Sequence, residues 1–396
     1  MKFYIIGIDD NQEQSFSEEV RNIIASHHVF SGGIRHHEIV ATWLPEAHKW
    51  IDIVVPLDNV FDQYNAYPEM VVFASGDPLF FGFANTIQRK MPDAEMILYP
   101  FFNSLQLLAH HLLMPYQDMH VVSLTGRSWH KFDEALITGY NKIGVLTDSK
   151  QHTPPVIARR MLDYGYDNYT LSVGELLGNK EKEKVSVWEL KDVINHKFAF
   201  PNNLILQRTY KRHRPLGIPE DEFNLLDGRA KMITKMPVRL LTLSMLDLRD
   251  KAVFWDIGFC TGSVSIEAKM QFPHLQVIAF EKREEGRALI GSNARRFGTP
   301  GIQSIISDFT NADISALPRP DAVFIGGHGG KMKEIIGKVS DVLRPDGIVI
   351  FNSVSEESRR LFEEAVTRYQ LNLKESISVQ IDDFNRIEVM KAIKVR

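Results

Sequence analysis

The run from Val253 to Ala268 restricts what this chain can fold into more than any other stretch. Val253-Phe254-Trp255 is apolar and ends in Asp256. Ile257-Gly258-Phe259-Cys260-Thr261-Gly262-Ser263 then brings two glycines, and Val264-Ser265-Ile266-Glu267-Ala268 has amphipathic helical spacing. Such a pattern is a buried strand, a tight turn and a helix N-terminus. Gly258 and Gly262 supply backbone geometry and close ligand approach that a Cβ would hinder, and the first helical turn offers N–H groups at the same place. The corner reads as a nucleotide site.

Spacing narrows the nucleotide. A dinucleotide fingerprint needs G-x-G-x-x-G and a P-loop needs Gly-Lys-Ser/Thr, whereas this loop is Asp-x-Gly-x-x-x-Gly with no lysine. The next apolar run, Leu275 to Phe280, ends in Glu281, an acid suited to ribose hydroxyls. A third run, Ile302 to Ile306, is followed by Ser307-Asp308, an acid suited to an exocyclic adenine amine. A ribose and an adenine without a phosphate point to S-adenosylmethionine. Gly326-Gly327-His328-Gly329-Gly330 follows the strand Asp321–Ile325, at the edge where open α/β sheets bind ligands. His328 is the candidate acid or base there, since its ordinary pKa lies near working pH.

The remainder is α/β as well. Strands are expected at 3–8, 52–55, 70–75, 96–99, 119–124, 142–147, 169–173 and 203–207, and helices at 16–26, 80–90, 103–113, 130–138 and 154–163. Ser75-Gly76-Asp77-Pro78 reads as a strand end followed by a helix start, with Asp77 as the cap and Pro78 at the first helical position. Residues 211–222 are rich in charge and proline and read as a linker, so the domains are 1–210 and 211–396. Pro237 starts a helix running to Leu246. The tail, 373–379 and 386–395 joined across Asp382-Asp383-Phe384-Asn385, reads as an antiparallel hairpin, the ending of a seven-stranded Rossmann-like methyltransferase sheet.

Composition excludes several classes. A net charge of −4 over 396 residues gives no electrostatic case for nucleic acid, and no apolar run approaches a membrane span. One cysteine rules out an internal disulfide and fits a reducing, cytoplasmic compartment. The pairs His27-His28, His36-His37 and His110-His111 lack the i+3 or i+4 partners that zinc prefers, so no metal is expected, although His36-His37 with Arg35 is placed to edge an anionic substrate. Cys260 is read as a loop-packing residue rather than a nucleophile.

Two resemblances cover nearly the whole chain. Thr234-Lys235 with Val238-Arg239, the 256–263 loop, Phe280-Glu281-Lys282 and Phe324 to Gly330 resemble the C15-methylating, decarboxylating enzymes of cobalamin biosynthesis, with Cys260 where that family has Gly. Ser75 to Gly82, Pro100-Phe-Phe-Asn-Ser104, Val122 to Arg127 and Gly144 to Asp148 resemble the tetrapyrrole (class III) methylases, in particular the C5-methylating enzymes of the same pathway. There, Gly7-Ile8-Asp9-Asp10-Asn11 replaces a glycine-rich loop and Thr125 replaces a histidine. The resemblance implies a class III fold of two α/β subdomains followed by a class I domain, each using one S-adenosylmethionine to methylate a precorrin, at C5 and at C15, with loss of the C12 acetate carboxylate.

It also implies which residues do the work. Those assigned to the cofactor are Thr234, Asp256, Gly258, Phe259, Cys260, Thr261, Gly262, Glu281, Asp308 and Gly326, and in the first half Gly7, Ser75, Gly76, Asp77, Pro78 and Ser104. Arg127, Lys235 and Arg239 are assigned to the substrate, because a corrinoid is rimmed with carboxylates that such side chains bind. Dimers are common in the tetrapyrrole group, so a homo-oligomer is expected, with neither nucleic acid nor membrane as partner. The same chemistry on cobalt-containing rings is one alternative. A degenerate S-adenosylmethionine-binding or scaffolding protein is another. A nucleic-acid methyltransferase fits less well, because Ile-Gly-Gly-His-Gly-Gly stands where an Asn/Asp-Pro-Pro-Tyr-like loop is usual.

Overall fold

The computed structural model describes residues 1–226, 232–381 and 386–395. It divides into two compact units: Met1–Arg127 with Tyr140–Arg159 and Asn168–Tyr210, and Ser128–Gly139 with Arg160–Asp167 and Lys211–Arg396.

The first unit holds two sheets. β1 (Lys2–Ile8), β2 (Val29–Gly32), β3 (Lys49–Asp52), β4 (Glu69–Ser75) and β5 (Glu95–Tyr99) are all parallel, in the order β3-β2-β4-β1-β5. Both faces of this sheet are covered, which is why β1 is an unbroken apolar run: Phe3 and Ile5 enter one core cluster, Ile6 and Ile8 the other. The second sheet comprises β6 (His120–Ser123), β7 (Lys142–Leu146), β8 (Tyr169–Glu175), β9 (Lys184–Glu189) and β10 (Asn202–Arg208), in the order β6-β7-β10-β8-β9, with only β6 and β7 parallel. The helix Ser104–His111 packs Leu105, Leu108 and Ala109 against Ile205 of this sheet.

Several expectations need correction. β2 and β9 were not foreseen, and β3 covers 49–52 rather than 52–55. β2 carries Ser31 in the core, where its hydroxyl donates to the Ile51 carbonyl and meets the Tyr64 hydroxyl, so a polar letter hides a buried strand. β9 is an edge strand with Val187 exposed, and its start merges with the charged run before it. The apolar letters Val54 and Val55 lie beyond β3 and face outward. No helix starts at Pro78: Asp77 Oδ1 accepts from Leu79 N (2.9 Å), closing a turn, Phe81 adopts φ +54°, and the helix begins only at Ala84.

The second unit contains β11 (Val253–Ile257), β12 (Gln276–Glu281), β13 (Gln303–Ile306), β14 (Ala322–Ile325), β15 (Ile348–Ser353), β16 (Leu371–Val379) and β17 (Ile387–Lys394). Their order is β13-β12-β11-β14-β15-β17-β16, the first five parallel and β17 antiparallel to both neighbours. This is the seven-stranded sheet of the Rossmann-like methyltransferases; the expected turn Asp382–Asn385 lies outside the described residues. Val253, Trp255 and Ile257 fill the core on one face and Phe254 that on the other. The segment expected as a linker is packed instead: Ile218 and Phe223 are buried with Ile266 and Met270. Among the described residues no helix is long and apolar enough to cross a membrane.

A Cβ on Gly7 would lie 1.9 Å from the Gly76 carbonyl oxygen and 2.7 Å from Phe101 N, both backbone atoms with little freedom to yield. Gly7→Ala is therefore expected to destabilise the first unit by about 1–3 kcal/mol. Denaturant unfolding would show one transition shifted and the transition of the second unit in place.

Candidate functional site

In the second unit, the carboxyl ends of β11, β12 and β14 open on a cavity of about 690 Å³. Its floor follows from how β11 ends. Gly258 turns away at φ +78° and donates to the Phe280 carbonyl (2.8 Å), and Gly262, at φ +77°, precedes the helix Ser263–Gln271. Positive φ favours glycine at both, and a Cβ on Gly262 would meet Ile290 Cγ1 at 2.5 Å. Gly326 belongs to the facing loop and donates to the Ile257 carbonyl (2.8 Å).

Asp256 is 1% exposed. Its Oδ2 accepts from Ser265 N (3.2 Å) and Ser265 Oγ (2.6 Å), while Oδ1 has no partner among the described residues. Burial, with a smaller push from Glu281, raises its pKa to about 7 against the Ser265 hydrogen bonds. A buried acceptor without a donor is costly, so the oxygen is open to a donor from outside the protein. Glu281 is held by main-chain donors: Lys282 N (2.9 Å) and Arg283 N (3.1 Å) on Oε1, Cys260 N (3.0 Å) on Oε2. Cys260 itself lies at φ +50°, in the region glycine adopts freely, and its Sγ sits 3.8 Å from Arg283 Nη1. Burial pushes that thiol's pKa up, the opposite of what a nucleophile needs.

Asp308 accepts from Thr310 N (3.0 Å), Thr310 Oγ1 (2.7 Å) and Lys331 Nζ (2.7 Å), and Lys331 above all holds its pKa down to about 2. His328 accepts from Gly330 N at Nδ1 (3.2 Å), which leaves the proton of its neutral form on Nε2. Burial lowers its pKa. Thr234, Lys235, Phe259 and Thr261 complete the wall, Thr261 through a main chain tied to Asn293 (2.9 Å).

Two readings of individual residues change. Arg239 does not reach the cavity. Fully buried, it donates from Nε to Glu267 (2.5 Å) and from its terminal nitrogens to the Thr234 (2.7 Å) and Ile218 carbonyls, while Glu267 accepts from Gly217 N (2.5 Å). The pair stitches 217–218 and 234 to the helix Met236–Leu246. Conversely, Lys282, Arg283 and Lys331 line the cavity and were not singled out. The first two directly follow the strand-end acid in sequence, which is the signal that could have found them.

In the first unit, the assigned residues converge at the carboxyl ends of β1, β4 and β5. Gly76 N donates to the Ile8 carbonyl (2.8 Å) and Phe101 N to the Gly76 carbonyl (3.3 Å), and a Cβ on Gly76 would meet Asn103 Cα at 2.8 Å. Asn103 caps the helix that Ser104 opens. Asp77 and Pro78 lie in the turn described above. Ser75 Oγ lies 2.9 Å from His36 Nε2 and 3.3 Å from Arg35 Nη2, and Arg35 also pairs with Asp10 (3.2 Å). Burial, with help from Arg35, pushes His36 down to about 4. Arg127 stands over the Phe81 ring at 5.0 Å.

Removing Arg239 would leave Glu267 in the core without its cationic partner. Arg239→Ala is expected to cost about 3–5 kcal/mol in denaturant unfolding, while the fraction that stays folded keeps its affinity for ligands of the cavity. A weakened affinity at unchanged stability would return Arg239 to the binding residues.

Comparison with known proteins gives the site a family. Residues 226–393 match the model of the precorrin methyltransferase domain. The precorrin-6Y C(5,15)-methyltransferase (decarboxylating) of a Sinorhizobium species is 31% identical over 360 residues, covering 89% of this chain and 84% of the relative. The cobalt-precorrin-6B C(15)-methyltransferase (decarboxylating) of Salmonella typhimurium (strain LT2) is 36% identical over 133 residues, 34% of this chain and 68% of that one. A crystal structure of precorrin-6Y C5,15-methyltransferase from Geobacter metallireducens GS-15 is 31% identical, covers 46% of this chain and 100% of its own, and superposes with a TM-score of 0.42. With the first alignment running through both units, this chain belongs to the precorrin-6Y C(5,15)-methyltransferase (decarboxylating) family.

Proposed function

We propose that this chain methylates a precorrin at C5 and C15 and removes carbon dioxide from the C12 acetate, using one S-adenosylmethionine in each unit. The observation that carries the reading is the presence of both buried acids and cations around the second unit's cavity. Buried acids, Asp256 and Glu281, form the floor, and Lys235, Lys282, Arg283 and Lys331 also line it. A cationic cofactor fits the first set and a polycarboxylate ring the second.

Bound S-adenosylmethionine supplies an electrophilic methyl group on a good leaving sulfur. The protein's task is then alignment and exclusion of water. Asp256 Oδ1 would receive the cofactor's ammonium group, Glu281 would accept from ribose hydroxyls, and Gly258 and Gly262 would let the backbone approach closely. Asp308, held ionised by Lys331, would accept from the adenine amine. The lysines and Arg283 fix the ring's carboxylates. In the decarboxylation the electron pair of the breaking C–C bond enters the conjugated ring, and a proton comes to the carbon left behind. His328, neutral with its proton on Nε2, acts as hydrogen-bond donor to that acetate. In the first unit the loops at Gly7, Ser75–Pro78 and Ser104 take the second cofactor.

A reducing cytoplasm suits a chain whose one thiol lines its cofactor cavity, and a homo-oligomer without nucleic acid or membrane partners belongs to the same reading. Similarity of the second unit to a protein named for a cobalt-precorrin favours testing both kinds of ring.

Mass spectrometry of precorrin-6Y, with and without cobalt, after incubation with the full chain and S-adenosylmethionine tests the proposal. Gain of two methyl groups with loss of one carbon dioxide is expected, and the faster ring identifies the route. A folded chain that binds S-adenosylmethionine and changes neither ring would leave only the scaffolding alternative.

The raised pKa of Asp256 sets a pH dependence. The carboxyl is mostly neutral below about 7, and a cationic ligand needs it ionised, so binding releases a proton. Calorimetry should find cofactor affinity in the second unit rising with pH through about 7 and levelling above it. Asp256→Asn should flatten that profile.

A further inference from the structure

The first unit exposes apolar side chains where its cofactor loops lie. Leu79 (47% exposed), Phe81 (45%), Phe101 (39%) and Phe102 (50%) sit on the two loops that follow β4 and β5. Single exposed hydrophobics are ordinary on any protein, whereas these four lie on two loops joined by the Phe101 N to Gly76 carbonyl hydrogen bond.

Phe81 is the telling member. Its φ of +54° is a conformation that a bulky residue rarely adopts. The turn enforces it: Phe80 N donates to the Asp77 carbonyl (3.0 Å), Asn85 Nδ2 to the Leu79 carbonyl (2.7 Å), and a Cβ on Gly82 would lie 2.4 Å from the Pro78 carbonyl oxygen. Phe80 thereby packs against the core of the second sheet while Phe81 turns its ring outward, nearly perpendicular to it. Backbone strain of this kind gathers at binding sites, and here it accompanies an exposed ring. Beside it, Arg127 lays an exposed guanidinium over the Phe81 ring, and Phe101 and Phe102 meet edge to face at 5.7 Å.

We propose that Phe81, Phe101 and Phe102 are the shelf on which the first unit seats its ring substrate, with Arg127 pairing one of the rim carboxylates. A flat conjugated macrocycle offers each ring a face to stack on, and a polycarboxylate rim complements the guanidinium that stands over Phe81. The shelf shares its loops with Ser75–Pro78 and Ser104, so a ring seated there lies beside the methyl donor assigned to them. This inference rests on the function proposed above and adds which residues position the C5 reaction.

The test uses the full chain, precorrin-6Y and S-adenosylmethionine, and the second unit serves as internal control. Phe81→Gly, Phe102→Ala and Arg127→Lys are compared with the parent for KM in the C5 step, for C15 methylation and carbon dioxide release, for ring binding without cofactor by equilibrium dialysis, and for melting temperature. The shelf predicts a rise of at least about tenfold in KM for the C5 step with both aromatic variants, with C15 methylation and decarboxylation unchanged. Phe81→Gly, which relieves the positive φ, should melt no lower than the parent. An unchanged C5 step overturns the proposal, as does equal loss of both methylations or a fall in melting temperature that accounts for the loss. Variants that dissociate a homodimer in sedimentation without touching C5 kinetics would reassign the patch to a second copy of the chain. Should the parent chain methylate nothing, shelf-dependent ring binding would keep the shelf while the methylation reading fell; ring binding insensitive to all three variants would sink both.

Discussion

The second unit depends on a carboxylate held in the wrong place for a carboxylate. Asp256 stands one residue before the end of β11, is shut off from water, and has one oxygen spent on Ser265 and, among the described residues, the other on nothing. Such a group costs desolvation that nothing in its own shell repays, and here the neighbours leave a cavity beside it. The two glycines bring the backbone round without filling the space, and the facing Gly326 loop stays close to it, since a Cβ there would touch the Gly258 carbonyl oxygen at 2.9 Å. Order in the sheet thus determines where the chemistry sits: β11, β12 and β14 are adjacent, so the turns after them share one rim.

The first unit reaches a comparable arrangement by a different route. Its parallel sheet also ends in loops that touch at glycines, Gly7 against Gly76 and Gly76 against Asn103, but no buried acid stands at the strand end in the manner of Asp256. Asp10 is instead paired with Arg35, which also reaches Ser75, and His36 lies against the same hydroxyl. The loops of this sheet thus carry a polar cluster and exposed rings, in contrast to the closed acidic floor of the second unit.

What the sequence revealed follows the same physical division. Long apolar runs covered on both faces, such as β1, β4, β11 and β12, read directly as strands, and acids and glycines at the ends of β11 and β12 were legible as residues that meet around one cavity, because burial and tight turns each admit few residue types. The failures came where one requirement overrode another. Ser31 satisfies itself inside the core, so β2 looked like a loop; Val54 and Val55 are apolar but exposed, so β3 looked displaced. Asp-Pro after Gly76 has the composition of a helix start, yet the chain must close a turn before Ala84, and only Phe81 at positive φ and Gly82 against Pro78 show why. Arg239 was misassigned for a related reason: a guanidinium suits a substrate carboxylate and a buried Glu267 equally, and no local pattern separates the two. The rim cations Lys282, Arg283 and Lys331 escaped because charge beside a strand end is commonplace.

Cys260 tests how far local rules can bend at such a site. An ordinary side chain in the left-handed region costs about 1–2 kcal/mol relative to glycine. In this chain the position is held from outside: its N–H is taken by Glu281, a carboxylate already bound by two further main-chain donors, and its sulfur lies against Arg283. The turn is therefore shaped by the strand-end acid more than by the residue within it. That explains how a thiol can occupy a glycine's conformation while the acid keeps its own place on the cavity wall.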